Sequence, residues 1–424
     1  MKTKLTLVTL LSLLFASLQA QVSFNQWFEH KTLRIDYILS VKADTIIASL
    51  EQLKEEGPWA GTISHLIDPF NYGNYRIAVY DSATNKLIYT NGYSALSNEY
   101  QSTPEAKKYF KTFYESVNIP YPKKTVKFIL YQRDKHMNLH TLLERYINPK
   151  DIFISREKTL YHAHNLIING DINHKVDLVI IGDGYTENQE QEFEKEAEYF
   201  IKALFSYEPF KTYKDYFNVR TVFVPSPDSG TDIPGQNVWR NTVLNSHFYT
   251  FGIERYLTTE DYKTVKDIAA AAPYDQIIVL VNTDKYGGGG FYNYINLTAA
   301  KNPLADRVFV HEFGHAFAGL ADEYWTSDVA VEDYYDTTKE PWEPNITTLV
   351  NFDSKWKDMV ADTVPIPTPS TPEYKNVVGA FEGGGYVPKG IYRPMQNCLM
   401  RSLSWPFCKV CQRSIEQIIK YYSE

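Results

Sequence analysis

The chain has 424 residues, with 43 Lys and Arg against 51 Asp and Glu, a formal charge of −8 and three cysteines. That acidic balance, without a basic block, argues against nucleic acid as a partner. Beyond the N-terminus no apolar run reaches the ~18 residues of a membrane span, so no transmembrane segment is expected.

Residues 1–20 read as a cleaved secretory signal peptide. Lys2 and Lys4 supply the positive start, Leu5 to Ala16 the apolar core and Ala20 a small residue before the cut. No cysteine lies near the cut, which speaks against a lipid anchor. The expected destination is therefore secreted, periplasmic or cell-surface. The remaining roughly four hundred residues suggest two domains, each large enough for its own core.

Residues 21–160 alternate in the manner of strands. Thr32 to Leu39 opens the pattern, Tyr75–Tyr80 and Lys86–Tyr89 flank a turn at Asp81–Asn85, and Thr125–Tyr131 reads as a further strand. Thr103 to Glu115 reads as a helix between them. Many short strands with turn signals predict an N-terminal β-sandwich domain. His136, His140, His162 and His164 have no supporting motif and are read as surface or packing residues.

From about Asn169 the period changes. Val176–Gly184 is a buried-strand run ending in glycines, Glu187–Phe205 an acidic amphipathic helix, Phe217–Val224 a second strand and Gln276–Asn282 a third, preceded by helical sequence. Strands alternating with helices predict an α/β domain over residues 161–424. Gly182-Asp183-Gly184 is a weak nucleotide signal, because the rest of the glycine pattern is missing and an acidic helix follows. Tyr286-Gly287-Gly288-Gly289-Gly290-Phe291 can approach a ligand closely, either as a cleft-lining strand that pairs with extended substrate or as a plain flexible loop.

A helix is expected next, capped by Asn302 with Pro303 at its first position. From Leu304 to Leu320 it is apolar on nearly all sides, which places it inside a domain. It carries His311-Glu312-Phe313-Gly314-His315. Two histidines four apart on a helix lie about 6 Å apart along its axis and point the same way, so both imidazoles can reach one Zn²⁺. Glu312 lies beside the first ligand, where its carboxylate can take a proton from a water on the metal. Gly314 reads as a close approach of backbone or substrate, or as tight helix packing.

Gly319 is expected to end this helix in a left-handed conformation. Asp322 and Glu323 follow. A catalytic zinc needs a third protein ligand and an open position. The spacing HExxHxxxGxxD is one residue longer before the glycine than the metzincin arrangement, and it favours Asp322 as third ligand, with Glu323 the alternative. Residues 326–390, rich in Pro, Thr, Asp and Glu, read as a long excursion bordering the cleft rather than a separate domain. Cys398, Cys408 and Cys411 suggest a local staple from Cys398 to one of the others, or simply buried thiols.

His311 through Trp325, HEFGHAFAGLADEYW, together with Asn397-Cys398-Leu399-Met400-Arg401, resembles the IgA-peptidase family of metallopeptidases over nearly the whole mature chain. The resemblance implies a multidomain α+β protein, an N-terminal β-sandwich followed by a zincin-like α/β metallopeptidase domain. It implies Zn²⁺ as cofactor, His311 and His315 as zinc ligands, Asp322 as the third, Glu312 as catalytic base and Met400 as the Met-turn residue, with Met395 the runner-up. Tyr324, Tyr386 and Arg401 are candidate oxyanion donors. The expected activity is a secreted zinc endopeptidase acting on an extracellular protein or glycoprotein substrate. Two other readings stay open: a glycan- or protein-binding surface protein on a degenerate zincin scaffold, and a zinc amidase acting on peptidoglycan-type peptides.

Overall fold

The computed structural model describes residues 22–325 and 335–424. The signal segment expected at residues 1–20 lies outside the described residues. The fold is mixed α+β, with many strands and few helices.

The N-terminal third starts with a short helix α1 (Phe24–Trp27) and contains two antiparallel sheets. Strand β1 (Phe28–Lys42) lies between β2 (Thr45–Glu55) and β5 (Lys111–Pro122). The second sheet holds β3 (Tyr75–Asp81), β4 (Leu87–Tyr93), β6 (Val126–Arg133) and β7 (Leu139–Ile147) in the order β4-β3-β6-β7. Alternate residues of β1, Leu33, Ile35, Tyr37, Leu39 and Val41, are fully buried and share one core with Tyr75, Ile77, Phe128 and Leu130 of the other sheet.

On the opposite face of β1 Arg34 and Asp36 are buried as well, and they are charged. Arg34 pairs with Asp36 at 2.9 Å, with Glu56 at 3.0 Å and with Asp267 at 2.8 Å. Asp267 belongs to a helix of the C-terminal half, so this ion cluster ties the two halves of the chain. Burial in that company is tolerable only because each charge faces an opposite one.

The helix expected at Thr103–Glu115 is not formed. A short helix α2 (Leu96–Tyr100) gives way to turns, in which Thr103 Oγ1 accepts from the Ala106 amide, and β5 begins at Lys111. Phe113, Glu115, Val117, Ile119 and Tyr121 are buried at two-residue spacing, a strand period that overrides the helix-forming residues before it.

The C-terminal half centres on a six-stranded sheet of order β12-β13-β11-β9-β10-β8. Its strands are β8 (His164–Ile167), β9 (Val176–Asp183), β10 (Phe217–Val222), β11 (Gln276–Val281), β12 (Gly288–Phe291) and β13 (Ile295–Ala299). The four inner strands run parallel, while β8 and β12 are antiparallel edges. Every residue of β9, β10 and β11 is buried, as inner strands covered on both faces require. Leu178 and Ile180 face a layer made by α3 (Glu190–Leu204), α5 (Ala305–Ala318) and α6 (Lys409–Ser423). Val179 and Ile181 face α4 (Tyr262–Ala269) and the N-terminal sheets, so one core runs through both halves.

The acidic helix forms as expected behind a Thr186–Gln189 capping box, burying Phe193, Ala197, Phe200, Ile201 and Leu204. The glycines around Asp183 serve packing. A Cβ on Gly184 would stand 1.8 Å from the Gly230 carbonyl oxygen. Asp183 itself accepts from the amides of Leu244 and Ser246 and from Thr242 Oγ1, pinning that loop.

The excursion from 335 to 380 contains only short turns of helix among its described residues, yet it is anchored. Phe352, Trp356 and Ala380 enter the core around α5 and α6, and Trp356 Nε1 donates to the Gly379 carbonyl at 2.7 Å. The chain then returns through a hairpin that the sequence pattern did not suggest, β14 (Phe381–Gly384) and β15 (Val387–Arg393).

Candidate metal centre

Helix α5 starts two residues later than its capping signals indicate. Asn302 Oδ1 accepts from the Leu304 amide and the Asn302 carbonyl accepts from the Ala305 amide. Asn302 therefore closes a tight turn that feeds the helix, and Leu304 takes the cap position without a side-chain bond. The other end follows expectation. Gly319 has φ +62°, and the Leu320 amide folds back onto the Gly314 carbonyl at 3.3 Å.

On this helix His311 and His315 present their rings nearly perpendicular, 4.8 Å between centroids, with their Nε2 atoms 3.1 Å apart. The Nδ1 of His311 meets the Leu399 carbonyl at 3.1 Å, and that of His315 meets the Leu320 carbonyl. A carbonyl can only accept, so each Nδ1 carries the proton and each Nε2 turns a lone pair inward in the neutral ring.

The left-handed cap brings Asp322 back over the same point. Its Oδ1 lies 3.2 Å from His311 Nε2 and 3.4 Å from His315 Nε2, and makes no hydrogen bond among the described residues. Three electron-pair donors thus form a triangle with sides of 3.1–3.4 Å. A tetrahedral zinc with bonds of ~2.0–2.1 Å requires ligand separations of about 3.3–3.4 Å. The donor set and its spacing fit that ion. Burial alone would lower the His315 pKa, but the facing Asp322 carboxylate reverses this and raises it to about 9. Burial would likewise raise Asp322, and the two histidines outweigh it, holding the carboxyl well below its usual range.

Asp322 is held from several directions. Its carbonyl accepts from the Gly385 amide at 2.8 Å, its Oδ2 accepts from the Tyr386 hydroxyl, and the next amide, Glu323 N, donates to the Met400 carbonyl at 2.8 Å. Tyr386 sits in the β14–β15 turn at φ +65° beside Gly385 at φ +55°. A tyrosine there is strained by about 1–3 kcal/mol, and the position aims its hydroxyl at the carboxylate. Asn345, fully buried, accepts from the Ala321 amide at 2.7 Å and donates to the Ala321 carbonyl at 2.9 Å and to Glu323 Oε1 at 3.1 Å. Nothing in the sequence around Asn345 announces this role.

Glu323, the alternative third ligand, turns the other way and is fully buried among the three cysteines. Those cysteines form no disulfide and are all buried, which matches the second of the two expectations, buried thiols, rather than the local staple. Met400 is fully buried against the turn of α5 between the two histidines, where a Cβ on Gly314 would stand 3.0 Å from its sulfur. The mid-helix glycine is thereby explained by packing. Met395 is only partly buried.

The site opens into a cleft of about 690 Å³ lined by Glu99, Arg255, Glu312, His315, Tyr324 and Tyr386 among others. Burial raises the Glu312 carboxyl, and the two histidines pull it partway back. Its backbone abuts β12: a Cβ on Gly290 would stand 2.2 Å from the Glu312 carbonyl oxygen, and one on Gly288 would stand 2.9 Å from Glu312 Cγ. The glycine run is therefore an edge strand pressed onto α5, with Gly288 also bridged to Tyr256 on its outer side. Glu99 reaches the cleft from α2 of the N-terminal half. Burial pushes its carboxyl up to about 7, against the pull of the Tyr256 hydroxyl. Of the three oxyanion candidates, Tyr386 is bonded to Asp322, and Arg401 donates to the Gln396 carbonyl while stacking on Trp325.

Residues 165–374 and 370–419 match the family model described as IgA Peptidase M64, and residues 23–144 match the one described as Peptidase M64 N-terminus. No curated protein matches the chain. Among the described residues no helix is long and apolar enough to cross a membrane.

Proposed function

The chain belongs to the IgA peptidase M64 family, and from that membership we propose that it is an exported zinc endopeptidase acting on an extracellular protein or glycoprotein. In this reading the signal at residues 1–20 is removed on export. The antiparallel sheets of residues 21–160 are a β-sandwich accessory domain, and residues 161–424 are a zincin-like catalytic domain. The observation that carries the proposal is the triangle of His311 Nε2, His315 Nε2 and Asp322 Oδ1, facing a cleft beside Glu312.

These three side chains would hold the zinc. When bound, the ion supplies Lewis acidity towards the scissile carbonyl and lowers the pKa of a water in the site. Glu312 is the base: a carboxylate oxygen accepts the proton of the attacking water and delivers it to the departing amine. Tyr324 and Arg255, both on the cleft wall, oppose the charge that develops on the carbonyl oxygen. Leu399 and Leu320 fix the histidine rings through their carbonyls, and Met400 packs beneath the helix as the Met-turn residue. Strand β12, bridged to Tyr256 at Gly288, lines the cleft wall beside Glu312.

Hydrolysis of a mixed peptide library by the full chain tests this reading. Cleavage is expected, abolished by chelator and restored by zinc. No cleavage by the zinc-replete protein would refute it.

A further inference from the structure

Behind the cleft lies a second group of metal-ligating side chains that the proposed mechanism does not use. Glu323, Cys398, Cys408 and Cys411 are all buried, and one ligand atom from each lies within 4.8 Å of every other. They come from three places: the loop after α5, the turn beneath it, and the start of α6, where Cys408 caps the helix and Cys411 lies in its first turn. The positive end of that helix favours thiolate sulfur.

Three of the six separations are short enough for a tetrahedral site, and the other three lie within 4.8 Å. Cys398 Sγ and Cys411 Sγ are 3.6 Å apart, Cys411 Sγ is 3.3 Å from Glu323 Oε1, and Cys408 Sγ is 3.9 Å from the same oxygen. Around a zinc with sulfur bonds of ~2.3 Å and an oxygen bond of ~2.0–2.2 Å, the expected separations are about 3.8 Å for sulfur pairs and about 3.5 Å for sulfur–oxygen pairs. A disulfide needs its sulfurs at ~2.05 Å, far closer than the 3.6 Å between Cys398 Sγ and Cys411 Sγ.

A separate observation points to a cation as partner of Glu323. Glu323 is fully buried, and its Oε2 makes no hydrogen bond among the described residues. The buried Arg393 guanidinium acts on it through its charge but makes no direct ion pair with it, and a buried carboxylate lacking a close partner of opposite charge is among the most expensive groups a core can hold. Neighbouring donors serve the rest of the cluster: Asn345 Nδ2 donates to Glu323 Oε1 at 3.1 Å and the Cys408 amide donates to Cys398 Sγ at 3.3 Å.

We propose that Glu323, Cys398, Cys408 and Cys411 bind a second, structural zinc ion. With four protein ligands and no opening, the site is of the closed kind that stabilises rather than reacts. Its place gives it a task. Glu323 follows the third cleft ligand Asp322, and Cys398 precedes Leu399, whose carbonyl orients His311, and Met400, which packs beneath α5. One ion would fasten both segments to the start of α6.

The test uses the full chain, purified without chelator. Elemental analysis is expected to find two zinc ions per chain in the wild type and one in the His311→Ala/His315→Ala double variant. All three thiols are expected to react with a thiol reagent, but only after denaturation in the presence of chelator. Cobalt(II) in the double variant is expected to give thiolate-to-cobalt charge-transfer absorption. Glu323→Gln is expected to bind the retained zinc more weakly, by at least on the order of tenfold in a chelator competition. A single zinc in the wild type with none in the double variant overturns the proposal. A single reactive thiol, the mark of a disulfide, overturns it as well.

Discussion

Asp322 and Glu323 are consecutive carboxylates, both buried, with opposite surroundings. Asp322 faces two imidazoles at the floor of an open cleft, whereas Glu323 points into a closed pocket of cysteine sulfur. Backbone geometry makes the difference. After the left-handed Gly319, the Glu323 amide bonds to Met400 and the Asp322 carbonyl bonds to Gly385, so neighbouring side chains leave the strand-like loop on opposite sides. Reactivity follows from access rather than from residue type: the same functional group serves an open site on one side and an enclosed one on the other.

Substitutions sharpen this contrast. The largest effect is expected for Asp322→Ala, which should lose the cleft zinc and with it hydrolysis, while Glu323→Ala keeps the cleft ion. Zinc affinity should fall by more than the ~10–100-fold typical of residues behind the ligands. Retention of zinc by Asp322→Ala and loss of the cleft ion in Glu323→Ala would reverse the assignment.

Glu115 supplies a control for burial without a metal cluster. Burial pushes its carboxyl up to about 7, with Ser97 and Tyr294 pulling the other way. A carboxyl whose folded pKa exceeds its unfolded value stabilises fully at low pH and loses that contribution as pH rises through about 7. Relative to Glu115→Gln, the wild type should lose about 3 kcal/mol between pH ~4.5 and ~7.5, measurable by denaturant unfolding. Equal pH profiles for the two proteins would contradict the assignment of a neutral buried Glu115.

Asn345→Ala removes three hydrogen bonds from the loop between Gly319 and Glu323. It should destabilise the chain by about 2 kcal/mol and weaken zinc binding at the cleft by ~10–100-fold. Tyr386→Phe removes only the hydroxyl on Asp322 Oδ2. A loss of about 1 kcal/mol is expected, with zinc affinity reduced by ~10-fold at most. A larger effect for Tyr386→Phe than for Asn345→Ala would mean that the hairpin, not Asn345, positions Asp322.

Much of the fold was legible because it rests on local period. The apolar runs of β9, β10 and β11 and the amphipathic face of α3 announce themselves in the sequence. The region at Thr103–Glu115 did not, since helix-forming residues precede a strand whose period is set by partners across the sheet. The hairpin at 381–393 was hidden among glycines and charges that carry no alternating pattern. At the candidate site, the motif placed His311, Glu312 and His315 on one helix, and the glycine spacing favoured Asp322. The contributions of Asn345, Glu99 and Arg255 depend on tertiary approach. Asn345 lies 24 residues from Ala321 in sequence, and Glu99 enters from the other half of the chain. The cysteines could be counted in advance, but Glu323 is 88 residues from Cys411 and only folding brings them to 3.3 Å.

The most direct measurement of the central claim is the rate of peptide cleavage by Glu312→Gln, determined together with its zinc content. The account predicts full zinc occupancy at the cleft and a rate lower by ~10²–10⁴-fold, because the ligands remain and the base does not. An unchanged rate in a zinc-loaded Glu312→Gln protein would contradict it.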